Sequence, residues 1–373
     1  MRIGFDARAI NWYKGTGIGT YTENVLKAML KLDKPDYFHI YWSGENYAEY
    51  KNSNTDIIMS SKRHHNFFQN YYFPSNMINE KIDIFHVPQN GMGLIDNPSY
   101  KKVVTIHDLI PYVMPETVGK GYLLRFIKEI PRIIELADGI LTVSEWSKND
   151  ILRLFPIDEK KIFVTSLAAD SKYKPMDKEK CRALIKEKYN IKLPFILYLG
   201  GFSGRKNVKS LIIAYSKLYK ELNRKFNLVI VGAKKDDGNY LVELSSSLNL
   251  STNIIFTGFV PEELLPVFYN ACEIFVYPSL CEGFGLPPLE AMSCGAPVIT
   301  SNVTSIPEVV GDSGILIDPF DNSNLINAIG NLLENEPKKE ELSKKGLKRA
   351  SHFSWTKTAE STLKVYKKVL SST

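Results

Sequence analysis

The sequence predicts an α/β protein of two doubly wound parallel sheets, one in each half of the chain, and three observations carry that reading. Short apolar runs rich in β-branched and aromatic residues recur along both halves. Amphipathic helical patterns alternate with them, as they do when a parallel sheet is covered on both faces. A polar, lysine-rich stretch near the middle separates the two sets.

The strand-like runs of the first half are RIGFDA, FHIYWS, DIIMSS, IFHVPQ, KVVTIHD, GILTVS and KIFVTS, with a helical pattern over 18–31. Ser144, after ILTV, reads as the N-cap of the next helix. The runs of the second half are FILYLGG, NLVIVG, NIIFTGF, IFVYPS, PVITS and GILIDP, with helical patterns over 207–222, 261–271 and 322–334. The halves meet in SLAADSKYKPMDKEK (166–180), which contains Pro175. This assigns 1–170 to an N-terminal domain and 171–352 to a C-terminal one. An amphipathic helix over 353–370 closes the chain, and 353–373 is expected to pack back on the first domain. Ligands of doubly wound sheets sit outside the carboxyl ends of strands, so the expectation is two such sheets facing a deep cleft.

A length of 373 residues suits two domains, and 44% hydrophobic with 24% charged residues is ordinary for a globular enzyme. The net charge of +6 fits anionic small ligands or an anionic membrane surface and is too weak for a nucleic-acid partner. Asp6 and Arg8 interrupt the first apolar run, which argues against a signal peptide, and no window reads as a membrane span. Cys181, Cys272, Cys281 and Cys294 form no Cys-x-x-Cys pair and read as reduced thiols of a cytoplasmic protein. Neither His-Glu-x-x-His nor Asp-x-Asp occurs, and the expectation is no metal and no cofactor.

Chemistry concentrates in SLCEGFGLPPLEAMSCGAPVIT (279–300). A strand leads into a turn with Gly283 and Gly285, Pro287 and Pro288 suit the start of a helix, and Gly295 ends it. Such a loop offers N–H groups to a phosphate, while Glu282 and Glu290 suit hydroxyls. A ligand carrying both is a nucleotide sugar. Arg205 and Lys206 follow the strand and flexible turn ILYLGGFSG, which includes Gly201, and precede a helix. Two cations there suit a diphosphate leaving group whose charge grows as its bond breaks. GTGIG (15–19) is spaced unlike a Rossmann fingerprint and reads as a helix entry in which Gly17 and Gly19 let amides approach a phosphate. His107 ends a strand and should face the ligand, with Asp108 beside it, and Gln89 and Asn90 end the preceding strand.

In this order, GIGTYTENVLKAM (17–29), TIHDL (105–109), TVSEWSKNDI (142–151), GRKN (204–207), EGFGLPPLEAMSCGAPVI (282–299) and PEVVGDSGILIDP (307–319) resemble a retaining glycosyltransferase of family 4, of GT-B fold, over essentially the whole chain. The Glu-x7-Glu pair Glu282 and Glu290 is the strongest element of the likeness. The resemblance implies that Glu290 takes ribose hydroxyls and Glu282 the donor-sugar hydroxyls near C3 and C4. It places Gly283 and the amides of Phe284, Gly285 and Leu286 by the diphosphate or sugar. The resemblance makes 171–352 the nucleotide-binding domain, where Phe259 and Val260 would border the base mostly through backbone, and 1–170 the acceptor-side domain. There His107 is the catalytic-centre candidate, which would contact the donor sugar and could reach the acceptor hydroxyl. Gln89 and Asn90 could line the acceptor side. Likeness to bacterial mannosyltransferases implies mannose from GDP-mannose as donor, with rhamnose or glucose from dTDP-, UDP- or ADP-sugars as alternatives. The acceptor would be a saccharide or lipid-linked saccharide of surface polysaccharide synthesis. KRHHNFFQNYYFP (62–74) and the helix 120–137, with Lys120, Arg125, Lys128 and Arg132, read first as packed structure and second as a surface for that acceptor at the inner membrane face. Three other classes stay open: a glycosidase using the two glutamates, a dinucleotide oxidoreductase, and a non-catalytic nucleotide-sugar sensor.

Overall fold

The computed structural model describes residues 1–221, 225–233 and 235–372. They form two compact units, one built from Met1–Val113, Gly119–Leu167 and the chain from Ser354 onward, the other from Met114–Val118 and Ala168–Phe353.

The first unit holds β1 (Arg2–Asp6), β2 (Tyr37–Ser43), β3 (Thr55–Ser60), β4 (Ile84–Val87), β5 (Lys101–Ile106), β6 (Gly139–Thr142) and β7 (Ile162–Val164). All neighbours pair in parallel, in the order β3-β2-β1-β4-β5-β6-β7. Ile3 pairs with Phe38 on one side and Ile84 on the other, so the strand order reverses at β1 and β4. That reversal is a switch point, and the loops after Asp6 and Val87 leave from it. Helix Gly17–Lys31 buries Tyr21, Val25, Leu26 and Met29, a single face of a 3.6-residue repeat.

The last helix, Trp355–Ser371, packs on Gly17–Lys31 within this unit. Ser354 caps it by accepting from the Lys357 amide, and Thr358 Oγ1 donates to Ser166 O at 2.7 Å. Tyr366 OH lies 2.6 Å from His86 Nδ1 in the interior. A Cβ on Gly139 would meet Val369 Cγ2 at 2.6 Å, so close packing of this helix depends on that glycine.

The second unit holds β8 (Phe195–Leu199), β9 (Asn227–Val231), β10 (Ile254–Gly258), β11 (Ile274–Tyr277), β12 (Val298–Ser301) and β13 (Ile315–Ile317). These are parallel in the order β10-β9-β8-β11-β12-β13. Here the switch point falls between β8 and β11, with Ile274 opposite Ile196. Both sheets are therefore the doubly wound kind that the alternation of runs predicts. The helix read over 207–222 is Val208–Glu221, and residue 222 lies outside the described residues, as does residue 373 of the closing segment. The pattern over 261–271 resolves into a tight turn, Glu262–Leu264, and a helix, Leu265–Ala271, because Pro266 can only stand near a helix start. Stretch 62–74 is helical from His65 onward, running without a break into Phe73–Asn79.

Candidate active site

Topology alone brings the two charged motifs of the second unit together. β8 and β11 are hydrogen-bonded neighbours at the switch point, so the turns after Leu199 and Tyr277 leave the sheet side by side. The first passes Gly200 and Gly201, where Tyr198 OH donates to Gly201 O at 2.6 Å. It then makes one tight turn, Gly204–Lys206, and ends at Asn207, whose φ of +55° stops the turn ahead of helix Val208–Glu221. Leu280 N–H donates to Arg205 O at 2.7 Å and ties the second turn to the first.

Glu282 is buried between them. Its Oε1 accepts from Lys206 Nζ at 2.6 Å, Tyr277 OH at 2.8 Å and Ser279 Oγ at 2.5 Å, and Arg205 Nη1 lies 3.1 Å from Oε2. Lys206 Nζ also donates to Tyr277 OH at 2.6 Å, and Arg205 Nη1 to Cys281 O at 2.8 Å. Burial works to raise the carboxyl's pKa, but Lys206, Arg205 and the Ser279 hydroxyl outweigh it and hold the group at about 2. Glu282 is thus a carboxylate at any physiological pH. Arg205, Lys206 and Glu282, three of the residues singled out by sequence, form one cluster.

The glycine turn beside it is braced from below. Gly285 has φ +120°, and a Cβ there would meet Ile306 Cδ1 at 2.8 Å, so both conformation and space require glycine. Ser305 Oγ sits 2.8 Å from Glu282 O and 2.9 Å from Phe284 O, and Glu282 N–H donates to Thr304 Oγ1 at 3.2 Å. Helix Leu286–Ser293 follows. Pro287 and Pro288 have no N–H, so the orphan donors of this helix start are confined to Leu286 and the turn before it.

Glu290 stands on that helix among other partners. Its Oε2 accepts from Tyr269 OH at 3.0 Å, and Tyr173 packs edge-on against Tyr269. Burial lifts its pKa to about 7, against the opposing pull of Tyr269 and Lys172. Phe259, on the loop after β10, is 78% exposed, whereas the Val260 side chain is in the core and only its backbone can meet a ligand. Gly201 is exposed and its carbonyl is taken by Tyr198.

In the first unit, His107 follows β5 and is buried. Its Nε2 faces Pro88 O at 2.9 Å, and since a carbonyl only accepts, Nε2 carries the proton and Nδ1 the lone pair. Burial lowers its pKa to about 4, so the ring is neutral. Its amide donates to Asn90 Oδ1 at 2.9 Å, its carbonyl accepts from Ser147 Oγ at 3.0 Å, and its ring meets Tyr21 edge-on. Ser144 caps the following helix as its position predicts, Oγ accepting from Ser147 N–H at 3.0 Å. Gln89 and Asn90, the candidates for the acceptor side, both follow β4 with buried side chains. Gln89 Nε2 donates to Asp6 Oδ2 at 2.7 Å, and Asn90 Oδ1 accepts from the His107 amide.

Gly17 and Gly19 stand in the first turn of helix Gly17–Lys31, the helix entry that the sequence predicts, and the residue with positive φ there is Gly15, at +77°. A Cβ on Gly19 would meet Tyr13 O at 2.3 Å, and its amide lies 3.4 Å from the capping Thr16 hydroxyl, so Gly19 serves packing. Gly17 is exposed with open space around it.

Several residues of these sites carry no sequence signal that singles them out. Asp6 and Arg8 form a buried ion pair at 2.6 Å, with the guanidinium over Trp12 and Phe73. Tyr277 and Ser279 were readable in principle: two residues apart in extended chain, they fall on one side. Helix Lys120–Leu136 buries Phe126, Ile130, Ile133 and Ile134, the packed role expected first. Lys120, Arg125, Lys128 and Arg132 are exposed, and so are Leu124 and Ile127. Among the described residues no group of three or more His, Cys, Asp or Glu could hold a metal ion, and no helix is long and apolar enough to cross a membrane.

Comparison with known proteins agrees with this geometry. The family model described as Glycosyltransferase Family 4 matches residues 15–172, and that described as Glycosyl transferases group 1 matches 182–349. The chain is 31% identical to the O-antigen chain mannosyltransferase B of Escherichia coli, over 98% of this chain and all of that one. It is 34% identical to the serotype-specific mannosyltransferase WbdA of Escherichia coli over 74% of this chain, which spans 34% of WbdA. The solved structure of Anabaena HepE in complex with UDP-glucose superimposes with a TM-score of 0.77 at 17% identity, covering 99% of this chain and all of that one, which speaks to fold alone. The chain belongs to the family 4 glycosyltransferases of GT-B fold, among relatives named as O-antigen mannosyltransferases.

Proposed function

We propose that this glycosyltransferase moves a hexose, mannose from GDP-mannose foremost, to a saccharide or lipid-linked saccharide in surface polysaccharide synthesis, with retention and without a metal. The Arg205–Lys206–Glu282 cluster carries the reading, because it sets two cations and a fixed carboxylate at a switch point beside a glycine turn. In the mechanism, the bond from the anomeric carbon to the diphosphate breaks while one from that carbon to the acceptor oxygen forms on the same face. The acceptor proton passes to the departing diphosphate oxygen. Arg205, Lys206 and the amides of Phe284, Gly285 and Leu286 stabilise the charge that grows there, Glu282 holds sugar hydroxyls, and no protein nucleophile takes part. Phe259 and the Val260 backbone border the base. The exposed Leu124 and Ile127 among Lys120, Arg125, Lys128 and Arg132 support contact with an anionic membrane surface at the cytoplasmic face, where a lipid-linked acceptor would be met. A thermal-shift screen of GDP-, UDP-, dTDP- and ADP-sugars tests the donor, and GDP-mannose should give the largest shift.

Turnover should persist in excess EDTA, measured as nucleotide release. Loss on chelation with recovery on manganese or magnesium would show that Arg205 and Lys206 do not suffice for the diphosphate.

If Glu290 takes ribose hydroxyls, these stabilise its ionised form and lower its pKa from about 7. Below neutral pH nucleotide binding should then release a proton, and affinity should rise with pH up to about 7 and level off. Glu290→Gln should abolish the release and weaken GDP by about 10- to 100-fold. Calorimetry in buffers of different ionisation enthalpy reads both, and proton release that survives in Glu290→Gln assigns it to another group.

A further inference from the structure

We propose that the Glu282 carboxylate and the donor's diphosphate compete for Arg205 and Lys206, and that Tyr277 and Ser279 are positioning residues that keep Glu282 in place when the diphosphate takes the cations. The proposal rests on the nucleotide-sugar reading above and adds an order of events to it.

The rivalry follows from what the cations already touch. Lys206 is 2.6 Å from Glu282 Oε1 and Arg205 is 3.1 Å from Oε2, so both are committed to one carboxylate. A diphosphate brings more negative charge than a carboxylate and more oxygens for the Arg205 fork, and it wins both cations. A buried carboxylate stripped of two cations would protonate and turn from acceptor to donor. Two hydroxyls guard against this: Tyr277 OH at 2.8 Å and Ser279 Oγ at 2.5 Å both donate to Oε1, and neither carries a charge that the diphosphate could draw away. The Tyr277 ring is itself fixed, stacked on Tyr198 at 13° and on Phe275 at 19°. Burial raises the Tyr277 phenol well above its ordinary value, so it remains a donor. Its oxygen also accepts from Lys206 at 2.6 Å, which places it at the junction where the cation is handed over.

Calorimetric titration of GDP and of UDP into wild type, Glu282→Gln and Tyr277→Phe tests this, with turnover followed over pH 5–8. Glu282→Gln keeps the shape and removes the rival charge. It should bind the nucleotide that wild type prefers about 3- to 10-fold tighter while turnover collapses. Tyr277→Phe should bind it within about 2-fold of wild type, yet lose about 10-fold in turnover. At saturating donor, where the diphosphate holds both cations and they no longer keep Glu282 at about 2, its acid limb should move up by about one pH unit, since Glu282 then protonates more easily; a merely structural role would leave the limb in place. If Glu282→Gln does not fold, Glu282→Asp, one methylene short of both cations, must show the tighter binding. Equal or weaker nucleotide binding in the folded Glu282 variant overturns the competition, and an unmoved acid limb in Tyr277→Phe overturns the positioning role, with the donor reading intact in both cases. Wild type that binds neither nucleotide overturns the inference and that reading together.

Discussion

Lys206→Ala should lower turnover by about three powers of ten and weaken GDP binding as well. A group that meets the diphosphate in substrate and product contributes to affinity, and one that gains as charge develops contributes to the rate. Removing a single preorganised donor of this kind typically costs 10²- to 10³-fold. Lys206 stands at the upper end because it is a full charge, half-buried, with its ammonium fixed by Tyr277 OH and Glu282 at 2.6 Å each. Its loss also leaves the buried Glu282 with Arg205 as its remaining close cation, which should lower the melting temperature. Nucleotide-release kinetics at a temperature where both proteins are folded separate the two effects. Lys206→Arg should recover part of the affinity and little of the rate, because its fork cannot reproduce a point charge between Tyr277 and Glu282. A Lys206→Ala enzyme within 10-fold of wild type would remove Lys206 from the phosphate-binding role.

The parts of this cluster were legible in the sequence because each is a local signal. Gly-Arg-Lys-Asn after a strand and Glu-Gly-Phe-Gly after another both mark carboxyl ends of strands. That they meet is a fact of strand order. β8 and β11 are separated by two other strands in the chain and become neighbours only when the sheet reverses at the switch point. The same reasoning explains what was missed. Tyr269 reaches Glu290 from helix Leu265–Ala271, and Gln89 reaches Asp6 across the first sheet; no spacing along the chain encodes either distance. The packing role of Gly19 is equally unreadable, because the clash it avoids is with Tyr13 O, a backbone atom whose position depends on how the preceding turn folds. Helices Lys178–Tyr189 and Glu336–Ala350 bury so few apolar side chains that their periodicity is faint, although Asp177 and Asn335 cap them.

His107→Ala should lower turnover about 100-fold and leave GDP affinity within about 2-fold of wild type. The split follows from where the residues lie. The groups proposed to meet the nucleotide, among them Arg205, Lys206, Glu290 and the glycine turn at 283–285, belong to the second unit, whereas His107 belongs to the first and is proposed to meet only sugar and acceptor. The ring's chemistry narrows what it can do there. Nε2–H is bound to Pro88 O and the ring is neutral, so Nδ1 is offered as a hydrogen-bond acceptor, suited to a hydroxyl and unsuited to delivering a proton. The wild-type rate should therefore show no acid limb from His107 between pH 5 and 7, its pKa being about 4. His107→Gln separates chemistry from packing, since its carbonyl can accept a hydroxyl while its volume still fills the space against Tyr21. It should recover part of the rate that alanine loses. If alanine and glutamine lose the same amount and both lower the melting temperature alike, the ring acts through its packing on Tyr21. A wild-type rate in His107→Ala would make His107 a core residue and move the search for the catalytic centre of this unit to Asp108, the next residue along the same strand end.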